Sequence, residues 1–554
     1  MKTAIQIVLC LFVVAAAAIL FNAAALGETA ALRAGDEAQK IRDFITPRKI
    51  RIIAGFYMAA AAAAAILIQI FYVRTASLTA QFCKNLSCGI RTKYLELSKL
   101  QKVIIAGVIV LHVGLSISCA LAIPVTNDEA FTYINYVHRG IAAAVTLYNE
   151  PNNHVFYSVL ANIFNVIPAL DSGFKIRLPA IIGGLFTLPA FYLLAEKLNN
   201  RKSAVFALIL FSGFYLTAKY HFLARGYGLM MLFFILSLYA AHQLRKTPQN
   251  KSALLLFVLS AVFGFYTHPA FLIPFAVCLG HLLLNNFTAP SRMTAFYLSG
   301  FTLTGTVLLY FPLIVLNGFT AFISNSGLEK PDLPTLFAQI TTNITGVFTQ
   351  SLYDQGMAIT IAFALFISGL YISRRRVTVY TFLLSIFMIF IILLVTGSPM
   401  FIRNLLWINV LFAVISASSL GWIAERFLTK RIALLFVSSF FIIVFSVRAL
   451  LLPQNFRIYY HRLFQAYDFA HHVPQNFGVL YSEHTSDYYT ILRYEAMIKQ
   501  EKTGHLVREN FNAETAYDRV LNIKKRGDTF HLKSQHNYEQ EYEDDYISLW
   551  RRVK

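Results

Sequence analysis

Charge is what this chain has least of. Only 14% of its 554 residues are Asp, Glu, Lys or Arg, and 57% are hydrophobic, whereas soluble domains carry roughly 25% charge. That excludes an ordinary soluble globule and leaves a polytopic membrane protein. Acidic residues are scarcest, 28 against 48 basic ones, for a formal net charge of +20. A nucleic-acid surface is nevertheless excluded, because residues 453–554 hold 14 basic and 14 acidic side chains. The whole excess lies in the apolar part, as topogenic charge does. Cysteine is rare as well: Cys10, Cys83, Cys88, Cys119 and Cys278 make neither a zinc spacing nor a disulfide framework. No P-loop, GxGxxG fingerprint, GxSxG elbow or HExxH is present, which weakens ATPase, dehydrogenase, hydrolase and zinc-protease readings.

What the chain does have is a series of apolar runs of spanning length. They fall near 4–26, 51–73, 103–123, 178–196, 203–218, 226–244, 252–267, 270–287, 295–316, 357–373, 377–396, 404–423 and 432–452. The expectation is an all-α polytopic membrane protein of about 13 transmembrane helices, the first an uncleaved span rather than a signal peptide. Basic clusters in alternate short loops (Lys197, Arg201 and Lys202; Arg245, Lys246 and Lys251; Arg374 to Arg376) mark the cytoplasmic side. Three larger pieces, 124–177, 317–356 and 453–554, then emerge outside. In the first, Phe131, Ile134, Val137, Ile141 and Val145 recur at helical spacing, which predicts an amphipathic helix in the membrane interface. The last reads as a small soluble α/β domain. The domain division expected is 1–102, an N-terminal transmembrane hairpin with a basic cytoplasmic loop; 103–452, a transmembrane catalytic domain; and 453–554, a C-terminal extracytoplasmic domain.

Two adjacent carboxylates, Asp128 and Glu129, stand where the span 103–123 surfaces. Charge at a lipid boundary is costly and usually functional. Glu129 also completes a Thr126-x-x-Glu129 capping box, so a purely structural role stays open for it. Asp128 could deprotonate an acceptor hydroxyl, or the pair could hold Mg²⁺ or Mn²⁺. Asn152-Asn153-His154 is either a turn or a polar cluster returning to the acids. The outer-face cations are exceptions to the positive-inside bias: Lys175, Arg177, Lys219, Arg225, Arg403 and Arg448, each at the end of a span. Converging cations need an anion between them, and a phosphate at the membrane surface fits; snorkelling to lipid headgroups is the alternative, and the favoured one for Arg448. Tyr266-Thr267-His268-Pro269 breaks two spans on the same face, with His268 a further candidate.

An acid after the first core span, an interfacial helix, Asn-Asn-His, Arg177-Leu178-Pro179 and Ala224-Arg225-Gly226-Tyr227 together resemble the GT-C glycosyltransferases. The similarity is to the protein mannosyltransferase and lipid A aminoarabinose transferase group, glycosyltransferase family 39 and its bacterial relatives, over roughly residues 103–452. The resemblance implies a GT-C-like fold and inverting transfer of a sugar from a polyprenyl-phosphate donor, on the outward face of a bacterial inner membrane. Asp128 would be the general base. Glu129, Asn153 and His154 would line the sugar or acceptor site, and Arg225 and Arg403 the donor phosphate. Arg177, Lys219, Tyr227 and His268 complete the candidate substrate-binding set. Partners would be the lipid-linked sugar donor, membrane lipids and an acceptor that is a lipid, a glycan or a protein; no cofactor is required, and a divalent cation could assist. The departures are that Val155-Phe156 follows the Asn-Asn-His where many relatives have His-Pro-Pro, and that no Arg-Tyr stands at Arg403. No Trp-Trp-Asp-Tyr-Gly occurs, which argues against en bloc transfer to asparagine. A transporter or flippase of an anionic lipid or sugar is the rival reading, since paired acids and scattered cations suit one too.

Overall fold

A computed structural model describes residues 43–148, 152–168, 170–284, 286–319, 321, 331–373, 376–397, 400–459 and short stretches between 479 and 553. The expected span 4–26 lies outside them. Each of the other twelve apolar runs forms helix, because in an apolar environment the backbone must satisfy its own hydrogen bonds. In chain order the helices are α1 (Pro47–Glu96), α2 (Lys99–Ala122), the short α3 (Asn127–Thr132) and α4 (Ile141–Thr146), α5 (Val155–Asn165), α6 (Ser172–Leu198), α7 (Arg201–Gly213) and α8 (Tyr215–Tyr220). Then follow α9 (Tyr227–Lys246), α10 (Lys251–Thr267), α11 (Leu272–Leu283), α12 (Ala289–Asn317), α13 (Leu333–Ser351), α14 (Gly356–Ile372), α15 (Val377–Thr396), α16 (Ile408–Arg426) and α17 (Lys430–Tyr459).

Among the described residues eight helices are long and apolar enough to cross a membrane, or nine if the bent pair α13 and α14 is one span. Of the thirteen runs, 4–26 lies outside the described residues, and the rest of the difference arises where runs are broken or short. The run 203–218 is split at Phe214 into α7 and α8, and α10, α11 and α14 have fewer than 18 residues. α9 and α16 form the centre, wrapped by protein along most of their length, while α1 and α17 present most of theirs outward. Local signals set the ends. Ser98 and Gln101 form a reciprocal capping box at α2, Asp171 caps α6, and Arg245 and Lys246 complement the dipole in the last turn of α9.

The segment after α2 is not the single amphipathic helix its spacing predicts. It is α3, a π turn over Tyr133–Val137 and α4, broken at Gly140, whose φ of 88° belongs to the left-handed region. Its apolar residues Ile134 and Val137 are buried against protein. In the tail, β1 (Val479–Ser482), β2 (Arg519–Ile523), β3 (Tyr538–Glu543) and β4 (Ile547–Arg552) make one mixed sheet in the order β1-β2-β4-β3, parallel only between β1 and β2. Tyr494 sets its ring edge-on against Tyr133, with centroids 5.2 Å apart. A piece of the tail therefore packs beside the helix that carries the acidic pair.

Candidate active site

Thr126 stops the extended segment after α2 and caps α3. Its hydroxyl accepts from Glu129 N, and the Glu129 carboxylate accepts from Thr126 N at 2.8 Å, so the capping box forms. Glu129 does more than cap. The Arg177 guanidinium donates to both its oxygens, at 2.8 and 2.7 Å, and Ala224 N donates to Oε1 at 2.6 Å. Arg177 spends its remaining donors on the carbonyls of Ala120, Ile123 and Pro124, which the end of α2 leaves without helical partners. The pair is fully buried. Burial pushes the Glu129 carboxyl up, but the Arg177 charge and the hydrogen bonds from Arg177, Ala224 and Thr126 outweigh it and hold it below the ordinary carboxylate range. Glu129 and Arg177 thus tie α3, α6 and the segment before α9 together.

Asp128 points elsewhere. Its side chain is 37% exposed, with Arg403 Nη1 at 3.3 Å and Arg225 Nη2 at 3.8 Å from Oδ2. Arg225 is buried and braced, donating to Asp128 O, Thr132 Oγ1 and Asn152 O. Lys219 lies over the rings of Tyr215 and Tyr220 and also acts on Asp128. Burial raises the Asp128 carboxyl; the charges of Arg225, Arg403 and Lys219 more than offset this and leave it below its usual value. One ionised carboxylate therefore faces three cations.

An aromatic floor lies under the guanidinium groups. The Tyr227 ring is 5.7 Å from Arg225 Cζ and 6.0 Å from Arg403 Cζ, and packs edge-on against His154 at 4.5 Å. His268 is 4.8 Å from His154 between ring centroids. Gly226 permits this approach, since a Cβ there would meet His154 Nδ1 at 2.6 Å and Thr267 Cγ2 at 2.7 Å. His154 is buried, and among the described residues neither ring nitrogen has a hydrogen-bond partner. Burial, then the charges of Arg225, His268 and Arg403, keep it neutral far below the ordinary histidine range. His268, whose Nδ1 accepts from Ala270 N, is pushed down to about 3 by burial and the same two arginines.

Asp128, Lys219, Arg225, Tyr227, His154, His268 and Arg403 therefore share one region at the end of the bundle where α2 finishes. Asn153 faces away from it. Its amide donates to the carbonyls of Ala144 and Leu147 and its oxygen accepts from Ser158, buckling α4 to α5. The two acids do not make a divalent-cation donor set: Glu129 has both oxygens engaged, and Asp128 has cations for neighbours. Among the described residues no three His, Cys, Asp or Glu side chains gather as metal ligands.

Arg448 corrects the expectation of snorkelling. It is fully buried, donating to Ser212 O at 2.8 Å and lying 2.6 Å from His112 Nδ1, with His112 in turn 2.8 Å from His221. His112, a histidine inside the apolar run 103–123, is the residue whose type could have signalled this network. Thr132 and the backbone N–H of Ala224 carried no such signal, for a hydroxyl inside a short helix and a main-chain donor look ordinary in any sequence.

No protein-family model matches the chain, and no curated protein matches it. Among solved structures it is similar to ArnT from Cupriavidus metallidurans bound to undecaprenyl phosphate, with a TM-score of 0.58 at 11% identity over 82% of this chain and 99% of that one. For the same protein in the apo state the values are 0.55 and 10%, over 81% and 98%. At that identity the likeness concerns the fold, and the GT-C-like architecture expected from the sequence is the one found.

Proposed function

We propose that the chain is an inverting glycosyltransferase that moves a sugar from a polyprenyl-phosphate donor to an acceptor on the non-cytoplasmic face of a bacterial inner membrane. The observation that carries this reading is the placement of Asp128 between Arg225 and Arg403. The acceptor hydroxyl gives its proton to the Asp128 carboxylate as its oxygen attacks the anomeric carbon. The bond from that carbon to the phosphate oxygen breaks, and its electron pair leaves with the polyprenyl phosphate. Arg225, Arg403 and Lys219 stabilise the negative charge as it develops. The fold of ArnT, a protein seen with undecaprenyl phosphate bound, supports the class of donor.

A carboxyl held below its ordinary range is a weak base, yet both guanidinium contacts to it are long. A donor phosphate competes for the same groups, and each guanidinium it draws off raises the basicity of Asp128. Donor binding thereby readies the base. In this reading Tyr227, His154 and His268 line the sugar site, while Glu129, Arg177 and Asn153 position the loops around it. The transmembrane part, 103–452, is the catalytic unit.

The test uses purified protein, radiolabelled polyprenyl-phosphate sugars and membrane extracts, comparing wild type with Asp128→Asn. Label should pass to an acceptor only with the wild type, and equal transfer by the variant would end the general-base assignment. A flux assay in liposomes separates the rival reading, since a transporter moves the labelled lipid or sugar without breaking its glycosidic bond.

A further inference from the structure

The two arginines that meet at Asp128 are held in different ways. Arg225 is buried, with three acceptors of its own. Arg403 is one-third exposed and rides on a short 3-10 turn, Ile402–Leu405, between α15 and α16. Beside this turn lies α13, in a stretch where the sequence suggests only an outer loop. Asn343, in the middle of α13, donates its side-chain amide to the carbonyl of Met400. One turn further on, Gly346 gives Ile402 its room, for a Cβ there would lie 2.7 Å from Ile402 Cδ1.

α13 is itself anchored. Leu336, Ile340, Val347 and Ser351 form its buried face, while Phe337, Thr341 and Thr345 point outward. At its end Ser351 accepts from Asn409 at 2.7 Å, and Tyr353 donates to Gly213 O. Tyr353 and Asp354 adopt φ of 60° and 52°, the left-handed conformation that non-glycine residues take only when their surroundings impose it. The chain then bends by 107° into α14. A helix so fixed is a bracket, and its one polar side-chain bond to the Arg403 segment among the contacts above comes from Asn343.

We infer that Asn343 is a positioning residue for Arg403: by holding Met400 O against α13 it keeps the Arg403 guanidinium within reach of Asp128 and of the donor phosphate. This rests on the reading of Arg403 as a phosphate-binding cation. A loosened segment spreads Arg403 over more positions, so the loss appears in donor affinity, and in KM before kcat.

A double-mutant cycle tests it, on full-length protein in lipid nanodiscs with undecaprenyl phosphate as the probe. Asn343→Ala should weaken binding about three- to tenfold, the range for losing one hydrogen bond. In the Arg403→Ala background the same change should have no further effect, because its route to the ligand is gone. Weakening by the same factor in both backgrounds, or unchanged binding in Asn343→Ala alone, overturns the inference and leaves the proposed function standing. Unchanged binding in Arg403→Ala alone removes the phosphate role of Arg403 and this inference with it. Should Asn343→Ala yield no folded protein, Asn343→Ser runs the same cycle.

Discussion

Asp128 and Glu129 are neighbours in sequence, share a helical first turn and have come to opposite ends. Consecutive helical residues point about 100° apart, so one faces the bundle and the other its mouth. Glu129 lies in full burial among four donors between 2.6 and 2.8 Å: Thr126 N, Arg177 Nε and Nη2, and Ala224 N. Asp128 keeps a third of its surface open and meets its guanidinium partners at 3.3 and 3.8 Å. A carboxylate with every lone pair engaged at short range has nothing left for a substrate. One held loosely by cations can exchange them for a ligand. Saturation, more than residue type or burial, separates the structural acid from the one proposed here to do chemistry.

The largest effects should fall on this pair, and they should fall on different observables. Asp128→Asn is expected to lower turnover by roughly 10²- to 10⁴-fold, the range for a lost general base, with the thermal unfolding midpoint lowered much less than by loss of Glu129. Glu129→Ala strands Arg177 as a buried unpaired cation and should cost about 3–5 kcal/mol of stability, read as a lower midpoint or loss of folded protein from the membrane. If the two variants exchanged these behaviours, the distinction between the acids would be lost.

Much of this contrast was present in the sequence, and what was missing had physical causes. Thr126-x-x-Glu129 announces the cap, and that interaction is local. The partners that saturate Glu129 come from Arg177 and Ala224, 48 and 95 residues away, which no spacing rule reaches. Arg225 and Arg403 stood out because the positive-inside bias makes an outer-face cation anomalous. Arg448 stood out for the same reason and turned inward to His112 and Ser212, since an anomaly reveals that a charge has a purpose without saying which. Asn153 belongs to a turn that looked equally suited to sugar binding and to structure, and its amide closes α4 onto α5. The apolar runs gave helices almost one for one. The number of spans did not follow, because a run shows where helix forms but not whether it breaks midway, as at Phe214.

A smaller effect distinguishes the two arginines. Arg225→Ala removes a buried group that also braces Asp128 O, Thr132 and Asn152, so both undecaprenyl phosphate affinity and turnover should fall. Arg403→Ala removes a partly exposed group and should weaken lipid binding by about tenfold, as for one lost charged hydrogen bond, with a lesser effect on turnover. Equal losses in the two variants would mean that both guanidinium groups serve only as charge.

The smallest expected effect is on pH dependence, and it tests the electrostatics directly. The cations around Asp128 hold its folded carboxyl below the unfolded value, and Arg177 does the same for Glu129. On acidification the unfolded chain therefore takes up protons first. The stability these groups contribute is fully present above the unfolded carboxylate range and is lost as pH falls through the folded values. The acid limb of kcat/KM, which reports the free enzyme, should accordingly lie below the ordinary carboxylate range. Arg403→Ala takes away one of the charges that depress Asp128, so that limb should move upward in pH. The same substitution at Arg177 should leave any surviving activity with its limb in place, because Arg177 acts on the other acid. An acid limb indifferent to Arg403 would show that the cation cluster does not set the ionisation of the group that controls turnover.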